Sequence, residues 1–213
     1  MYNTRKLRFD RGGRGVASWF PAFYDLIMSP LETLSFKQIR KELFQNLRGR
    51  VLEIGSGTGV NFSFYQKGMV ERVDAIEPDE RMIEKSEKRR RLSPVPIYLH
   101  QQSAEKIAFP DQTFDSVVAT LVFCSIPDPL QAMREVRRVS KPGAPVLLFE
   151  HVRMEQPFLG KAQDVLNPVW RRMTGGCQLN RDTLAVVKEA GLSVKRVKSY
   201  AKGLFLVIES VNE

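Results

Sequence analysis

The chain has 213 residues, of which 43% are hydrophobic and 27% charged, with 13 Phe among them. This suits one domain or a tight two-part unit around one substantial core, and it excludes wholesale disorder and collagen-like repeats. The formal charge of +9 is concentrated early, since residues 1–50 hold ten Lys/Arg against four Asp/Glu. The two cysteines, Cys124 and Cys177, exclude a disulfide framework or a four-thiolate zinc site within one chain, leaving at most a single bridge.

The opening MYNTRKLRFDRGGRG is basic and lacks the apolar core of a secretory signal, and no stretch reaches the roughly 18 consecutive apolar residues of a membrane span. A cytoplasmic protein is expected. The basic arm is either an ordinary solvated tail or a surface that meets an anionic membrane or nucleic acid by electrostatics. Residues 16–28 and 31–47 carry apolar residues at helical spacing, with Ser29-Pro30 between them. Trp19, Phe20, Phe23 and Tyr24 serve there as core packing or as an aromatic lid.

From Arg48-Gly49-Arg50 onward, short β-rich runs alternate with helix-sized stretches, the signature of a parallel sheet with crossover helices. Strands are predicted over 51–54, 72–76, 97–101, 114–120 and 145–150, and a closing antiparallel hairpin over 193–199 and 204–210. Helices are predicted over 60–67, 79–91, 129–139, 160–173 and 180–190, the last followed by Gly191 as a C-terminal glycine. The run Lys88-Arg89-Arg90-Arg91 reads as the dipole-complementing end of a helix before Pro94 and Pro96, so no nucleic-acid partner is expected.

The segment Val51-Leu52-Glu53-Ile54-Gly55-Ser56-Gly57-Thr58-Gly59 runs an apolar strand into a loop with glycine at every second position. Such glycines turn the backbone sharply and let a ligand approach it. Beyond the next strand stand Glu77 and Pro78, where the doubly wound geometry brings an acidic side chain to ribose hydroxyls. The nicotinamide fingerprint G-x-G-x-x-G does not fit, because its third glycine falls on Val60.

The motif LEIGSGTG, with IEPDERMIEKS at 76–86, SAEKIAFPDQTFDSVVA at 103–119 and the run from Leu130 to Lys141-Pro142-Gly143, resembles the class I S-adenosylmethionine-dependent methyltransferases. The resemblance covers most of the chain. It implies a Rossmann-like α/β fold with a seven-stranded, mostly parallel sheet and S-adenosyl-L-methionine as cofactor. Residues 1–48 become a basic arm with cap helices, and 49–213 the cofactor-binding domain. It further implies that Gly55, Ser56, Gly57 and Gly59 wall the methionine portion, that Glu53 orients the loop and the ligand amino group, and that Glu77 takes both ribose hydroxyls. Ser103, Ala104 and Glu105 become the adenine segment, and Leu121 packs beside the ligand. Many family members carry Asp where this chain has Ser103, so the hydroxyl or Glu105 must replace it.

Within that class, TLVFCS at 120–125, FEHV at 149–152, NPVW at 167–170 and GCQLNR at 176–181 resemble small alkyl-thiol methyltransferases, while the stretch around Tyr24-Asp25-Leu26 resembles bacterial phosphatidylethanolamine N-methyltransferases. The implied acceptor is a small thiol, the alternative a phospholipid headgroup, and a third reading is a non-catalytic S-adenosylmethionine-binding protein. Methyl transfer requires alignment of the nucleophile and exclusion of water, and a base only for a protonated acceptor. His151 follows the fifth strand at the ligand-binding edge and is the candidate base, with a structural role as the alternative. Glu150 either orients it or bonds backbone N–H groups. His100 reads as structural. Cys124 and Cys177 carry no local activating pattern and are assigned no chemistry.

Overall fold

The computed structural model describes residues 36–213. The basic arm, the helix predicted over 16–28 and the aromatic group Trp19, Phe20, Phe23 and Tyr24 lie outside the described residues. Of the helix predicted over 31–47, the described part is α1 (Lys37–Phe44), which buries Ile39, Leu43 and Phe44.

Seven strands follow: β1 (Gly49–Ile54), β2 (Val70–Ile76), β3 (Ile97–His100), β4 (Ser116–Thr120), β5 (Pro145–His151), β6 (Ser193–Tyr200) and β7 (Phe205–Val211). They form one sheet in the order β3-β2-β1-β4-β5-β7-β6. The pairings from β1 to β5 are parallel, β7 runs antiparallel to β5, and β6 antiparallel to β7. The predicted reversed strand is therefore β7. Every residue of β4 and the last four of β1 are buried, as expected for central parallel strands covered on both faces.

Successive residues of a strand face opposite sides, so the two sides of the sheet collect different cores. Leu52, Ile54, Val117, Val146 and Leu148 join a cluster with Phe114, Met133 and Val136, whereas Val51, Val118, Leu147 and Phe149 join Phe44, Leu47 and Phe62.

Local sequence explains the helix ends. In α2 (Glu80–Arg91) the Asp79 carboxylate accepts from the Arg81 N–H at 2.9 Å, and Lys88 to Arg91 fill the last turn, as predicted. In α3 (Pro129–Val139) Asp128 caps the start, accepting from the Gln131 N–H at 3.0 Å, and Ala132, Met133, Val136 and Val139 form the buried stripe. Two further helices, α4 (Pro157–Met173) and α5 (Thr183–Glu189), precede the hairpin, and Gly191 takes φ +83° after α5.

One predicted helix is absent. Residues 60–67 form turns, with Phe62 N–H bonded to Gly59 O at 3.2 Å and Phe64 N–H to Asn61 O at 2.9 Å. Asn61 and Tyr65 are drawn inward to Glu53 and Phe62 is fully buried, so tertiary partners override the helical spacing. The other predicted boundaries move by a few residues; α4 begins at Pro157, and α5 spans only 183–189.

Candidate active site

The chain leaves β1 toward β2 and β3 on one side and returns to β4 and β5 on the other, so the C-terminal ends of β1 and β4 flank the crevice where open α/β sheets bind ligands. The glycine loop lines it. Gly55, Gly57 and Gly59 all have positive φ, at +63°, +52° and +77°. A Cβ on Gly55 would lie 2.1 Å from Val122 Cγ2 and one on Gly59 2.5 Å from the Phe62 ring, so both glycines are fixed by close approach. A Cβ on Gly57 would meet nothing within 4 Å, so this glycine borders open space.

Glu77 and Pro78 follow β2. The two Glu77 carboxylate oxygens accept from Gly57 N–H at 2.9 Å and Asp79 N–H at 3.0 Å. This ties the acidic residue to the loop and to the start of α2. Burial raises the Glu77 pKa, and the two backbone donors counter it. The Pro78 carbonyl accepts from the Gln101 side chain at 3.4 Å.

Glu53 is the buried acid of β1. It is fully buried and accepts from Asn61 Nδ2 at 2.8 Å and Tyr65 Oη at 2.6 Å, while Asn61 also donates to Thr120 Oγ1 at 2.9 Å. Burial pushes its carboxyl up to about 7, against the two hydrogen bonds. Through Asn61 and Tyr65, Glu53 braces the turns that follow the glycine loop.

After β3, the Ser103 hydroxyl bonds the Glu105 carboxylate, so the two residues considered as replacements for the usual Asp are coupled. Ala104 is buried in the core. Leu121, immediately after β4, holds φ +55°, and its N–H donates to Phe149 O at 2.7 Å. That unusual conformation for a side-chain-bearing residue turns the chain sharply at the crevice.

These residues fit an adenosine-bearing ligand. Ser56 Oγ is buried without a protein partner, the loop borders open space at Gly57, and the Glu77 carboxylate oxygens retain lone pairs for hydroxyl donors.

A second group stands at the same strand ends. His151, the last residue of β5, places Nε2 2.9 Å from Cys177 Sγ; Cys177 Sγ lies 3.6 Å from Cys124 Sγ, and Trp170 Nε1 donates to Cys177 Sγ at 3.5 Å. The contact with Cys124, and then His151, lowers the Cys177 pKa well below the ordinary thiol value, while burial opposes. The Cys177 contact and burial together raise the Cys124 pKa. For His151, burial disfavours the charged form, but the Cys177 sulfur outweighs it and the pKa rises. His151 Nδ1 is buried with no partner.

Glu150 takes the second of its two predicted roles, as one carboxylate oxygen accepts from Val122 and Phe123 N–H groups at 3.0 and 3.1 Å. His100 is bound to Asp74 at 2.9 Å and packs edge-on to Phe109, as a structural histidine. The cysteine pair is what sequence reasoning missed. Cys124 and Cys177 are separated by more than 50 positions. Only the folding of the loop after α4 against the turn after β4, pinned by Gln178 N–H to Cys124 O at 2.9 Å, brings them together.

Fold and cradle together define a doubly wound α/β protein that holds an adenosine-bearing cofactor at its topological switch point. The family description "Methyltransferase domain" matches residues 52–148. Thiol S-methyltransferase TMT1B of Homo sapiens is 31% identical over 190 residues, covering 83% of this chain and 76% of the relative. Phosphatidylethanolamine N-methyltransferase of Cereibacter sphaeroides is 32% identical over 120 residues, covering 55% and 58%. A solved S-adenosylmethionine-dependent methyltransferase from Aquifex aeolicus superposes with TM-score 0.65 at 20% identity, covering 91% of this chain and 98% of that one, a likeness of fold. The chain belongs to the S-adenosylmethionine-dependent methyltransferase family, so it is a methyltransferase and S-adenosylmethionine is its cofactor.

Proposed function

We propose that this methyltransferase acts on the sulfur of a small thiol. The observation that carries the reading is the His151 imidazole, held by Cys177 at the strand ends beside the cofactor cradle. Relatives 31–33% identical over more than four-fifths of the chain, named as thiol S-methyltransferases, support it.

In this reading Gly55, Gly57 and Gly59 keep the loop low enough for the cofactor, Ser56 offers its unpartnered hydroxyl, and Glu77 accepts from the ribose hydroxyls. Pro78, Ser103, Ala104 and Glu105 border the adenine, and Leu121 packs against the ligand. Glu53 braces the loop through Asn61 and Tyr65. When bound, the cofactor would supply an electrophilic methyl on a sulfonium sulfur; the acceptor sulfur would take the methyl carbon as the methyl–sulfonium bond breaks and S-adenosylhomocysteine leaves. The protein must still lower the cost of taking the acceptor's proton, because a free thiol has a pKa of about 8.5. His151 assists that step, since His100 is engaged by Asp74.

A second reading, methylation of a lipid amine, is favoured by a different observation. Phe158, Val165, Leu166, Val169 and Met173 expose one apolar face of α4, each more than half exposed, in a chain of net charge +9. An apolar helix face on a helix that also carries exposed Lys161, Arg171 and Arg172 suits contact with an anionic lipid surface.

The deciding experiment is release of S-adenosylhomocysteine from the purified full chain with no acceptor, with a small alkyl thiol, and with phosphatidylethanolamine liposomes. Release with the thiol alone is the expected result. Release with liposomes alone would overturn it in favour of lipid methylation.

A further inference from the structure

We infer that Cys124, His151 and Cys177 form a binding site for one soft or borderline divalent cation of the zinc type, with its fourth position open to the acceptor thiol. Their three ligand atoms lie within 4.8 Å of one another. Two thiolates and one imidazole are the donor set that selects zinc over oxygen-seeking ions. Among the described residues three donors come together, which leaves one tetrahedral position without a protein ligand, as in catalytic rather than closed structural sites.

The geometry is close to what such an ion needs. With metal–sulfur bonds of about 2.3 Å in a tetrahedron, two thiolates stand about 3.8 Å apart. Cys124 and Cys177 stand at 3.6 Å, and both are free. A sulfur and a nitrogen ligand stand about 3.6 Å apart on the same bond lengths, whereas His151 Nε2 is 2.9 Å from Cys177 Sγ. The imidazole must therefore withdraw from Cys177 by less than 1 Å and stand about 3.6 Å from Cys124, from which it is now no more than 4.8 Å away.

The donors are anchored independently. Cys124 follows β4 and His151 ends β5, two neighbouring central strands. Cys177 lies in a loop fixed by Gln178 N–H to Cys124 O at 2.9 Å and Leu179 N–H to Asn167 Oδ1 at 2.8 Å. The Trp170 N–H directed at Cys177 Sγ is the outer donor that steadies a thiolate ligand. Two thiolates neutralise a dication.

The inference rests on the thiol-acceptor reading only for its open position. Binding the ion releases two protons to solvent, the one on the Cys124 thiol and the one that His151 Nε2 and Cys177 Sγ share at 2.9 Å. The acceptor thiol then replaces water at the fourth position and loses its proton to solvent, so it is held as a thiolate at neutral pH. With Nε2 on the ion, the imidazole proton resides on Nδ1, the ring atom without a protein partner. His151 thus assists deprotonation as a ligand.

The test is titration of the reduced, metal-free full chain with Co(II), followed by absorption spectroscopy. We expect one equivalent to bind with tetrahedral visible bands and a thiolate-to-cobalt charge-transfer band of two-sulfur intensity, displaced by zinc. Cys177→Ser and Cys124→Ser should each halve that band and weaken uptake by more than roughly 100-fold, beyond the cost of altering an outer partner. A small alkyl thiol should raise the wild-type band by about half, as a third thiolate joins. Absence of the tetrahedral spectrum in reduced wild-type protein would overturn the site even if a variant failed to fold, and so would a spectrum unchanged in both variants. A band indifferent to added thiol would overturn the open position. Thiol methylation by metal-free protein ends this inference and leaves the acceptor reading standing, whereas a two-sulfur cobalt site in an enzyme active only on liposomes does the reverse.

Discussion

Gly55 and Gly57 differ in what a methyl group would meet, and this separates folding from binding. Gly55→Ala adds a 2.1 Å clash with Val122 to a left-handed backbone, so a loss of roughly 2 kcal/mol or more is expected in denaturant unfolding. Gly57→Ala meets no protein atom, so it should cost about 1 kcal/mol of stability from its φ alone. Its methyl group enters the cradle, so cofactor affinity measured by calorimetry should fall further than stability does. Glu77→Ala should weaken cofactor binding by roughly 1.5–3 kcal/mol per charged hydrogen bond lost. Unchanged calorimetric affinity would remove Glu77 from the ribose site. For His151→Ala, turnover on a thiol should fall most near neutrality, and the deficit should shrink as pH approaches the acceptor's own pKa of about 8.5. A deficit constant with pH would mark His151 as structural.

At the scale of elements, α4 has two distinct faces. One carries Trp170 against Cys177 and the buried Gln163, which bonds Met154 N–H at 2.7 Å and the carbonyls of Val152 and Leu179 at 3.1 and 3.0 Å. The helix is thereby fixed to the end of β5 and to the loop bearing Cys177. The other face, with Val165, Leu166 and Val169, is exposed. Burying one such side chain in a lipid interface is worth about 1.5–3 kcal/mol. On the lipid reading, Leu166→Glu should reduce co-sedimentation with anionic vesicles at least about tenfold while leaving cofactor affinity unchanged. Equal vesicle binding by the variant would show that this face does not touch lipid. Among the described residues no helix is long and apolar enough to cross a membrane.

At the scale of the molecule, Glu53 joins the central strand, the turns after the glycine loop and, through Asn61, the end of β4. Burial raises its pKa from 4.5 to about 7, so folding favours the neutral acid. The stabilisation this represents is complete below about 4.5 and is lost as pH rises through about 7. The change is on the order of 3 kcal/mol, at roughly 1.4 kcal/mol per pKa unit. Glu53→Gln keeps the shape and can still bond Asn61 and Tyr65. It should flatten the dependence of unfolding free energy on pH between 5 and 7, measured by denaturant titration. A slope equal to wild type would show that Glu53 is ionised in the fold throughout that range.

The sequence by itself determined the sheet and the cofactor loop, because both depend on local order. Apolar runs such as Val51–Ile54 and Ser116–Thr120 are central strands wherever helices cover both faces, and glycines at alternate positions after a strand make a turn whatever lies around them. The acidic residue after the second strand follows from the same repeat, and its bond to Gly57 shows the two parts meeting. Residues 60–67 were not legible, because their helical spacing yields to inward bonds from Asn61 and Tyr65 that no local pattern displays. The same holds for the acceptor side. Cys124, His151 and Cys177 come from a turn, a strand end and a loop, and each alone resembles a small buried residue or a capping imidazole. Only tertiary packing sets their spacing, and no local pattern around any one of the three displays it.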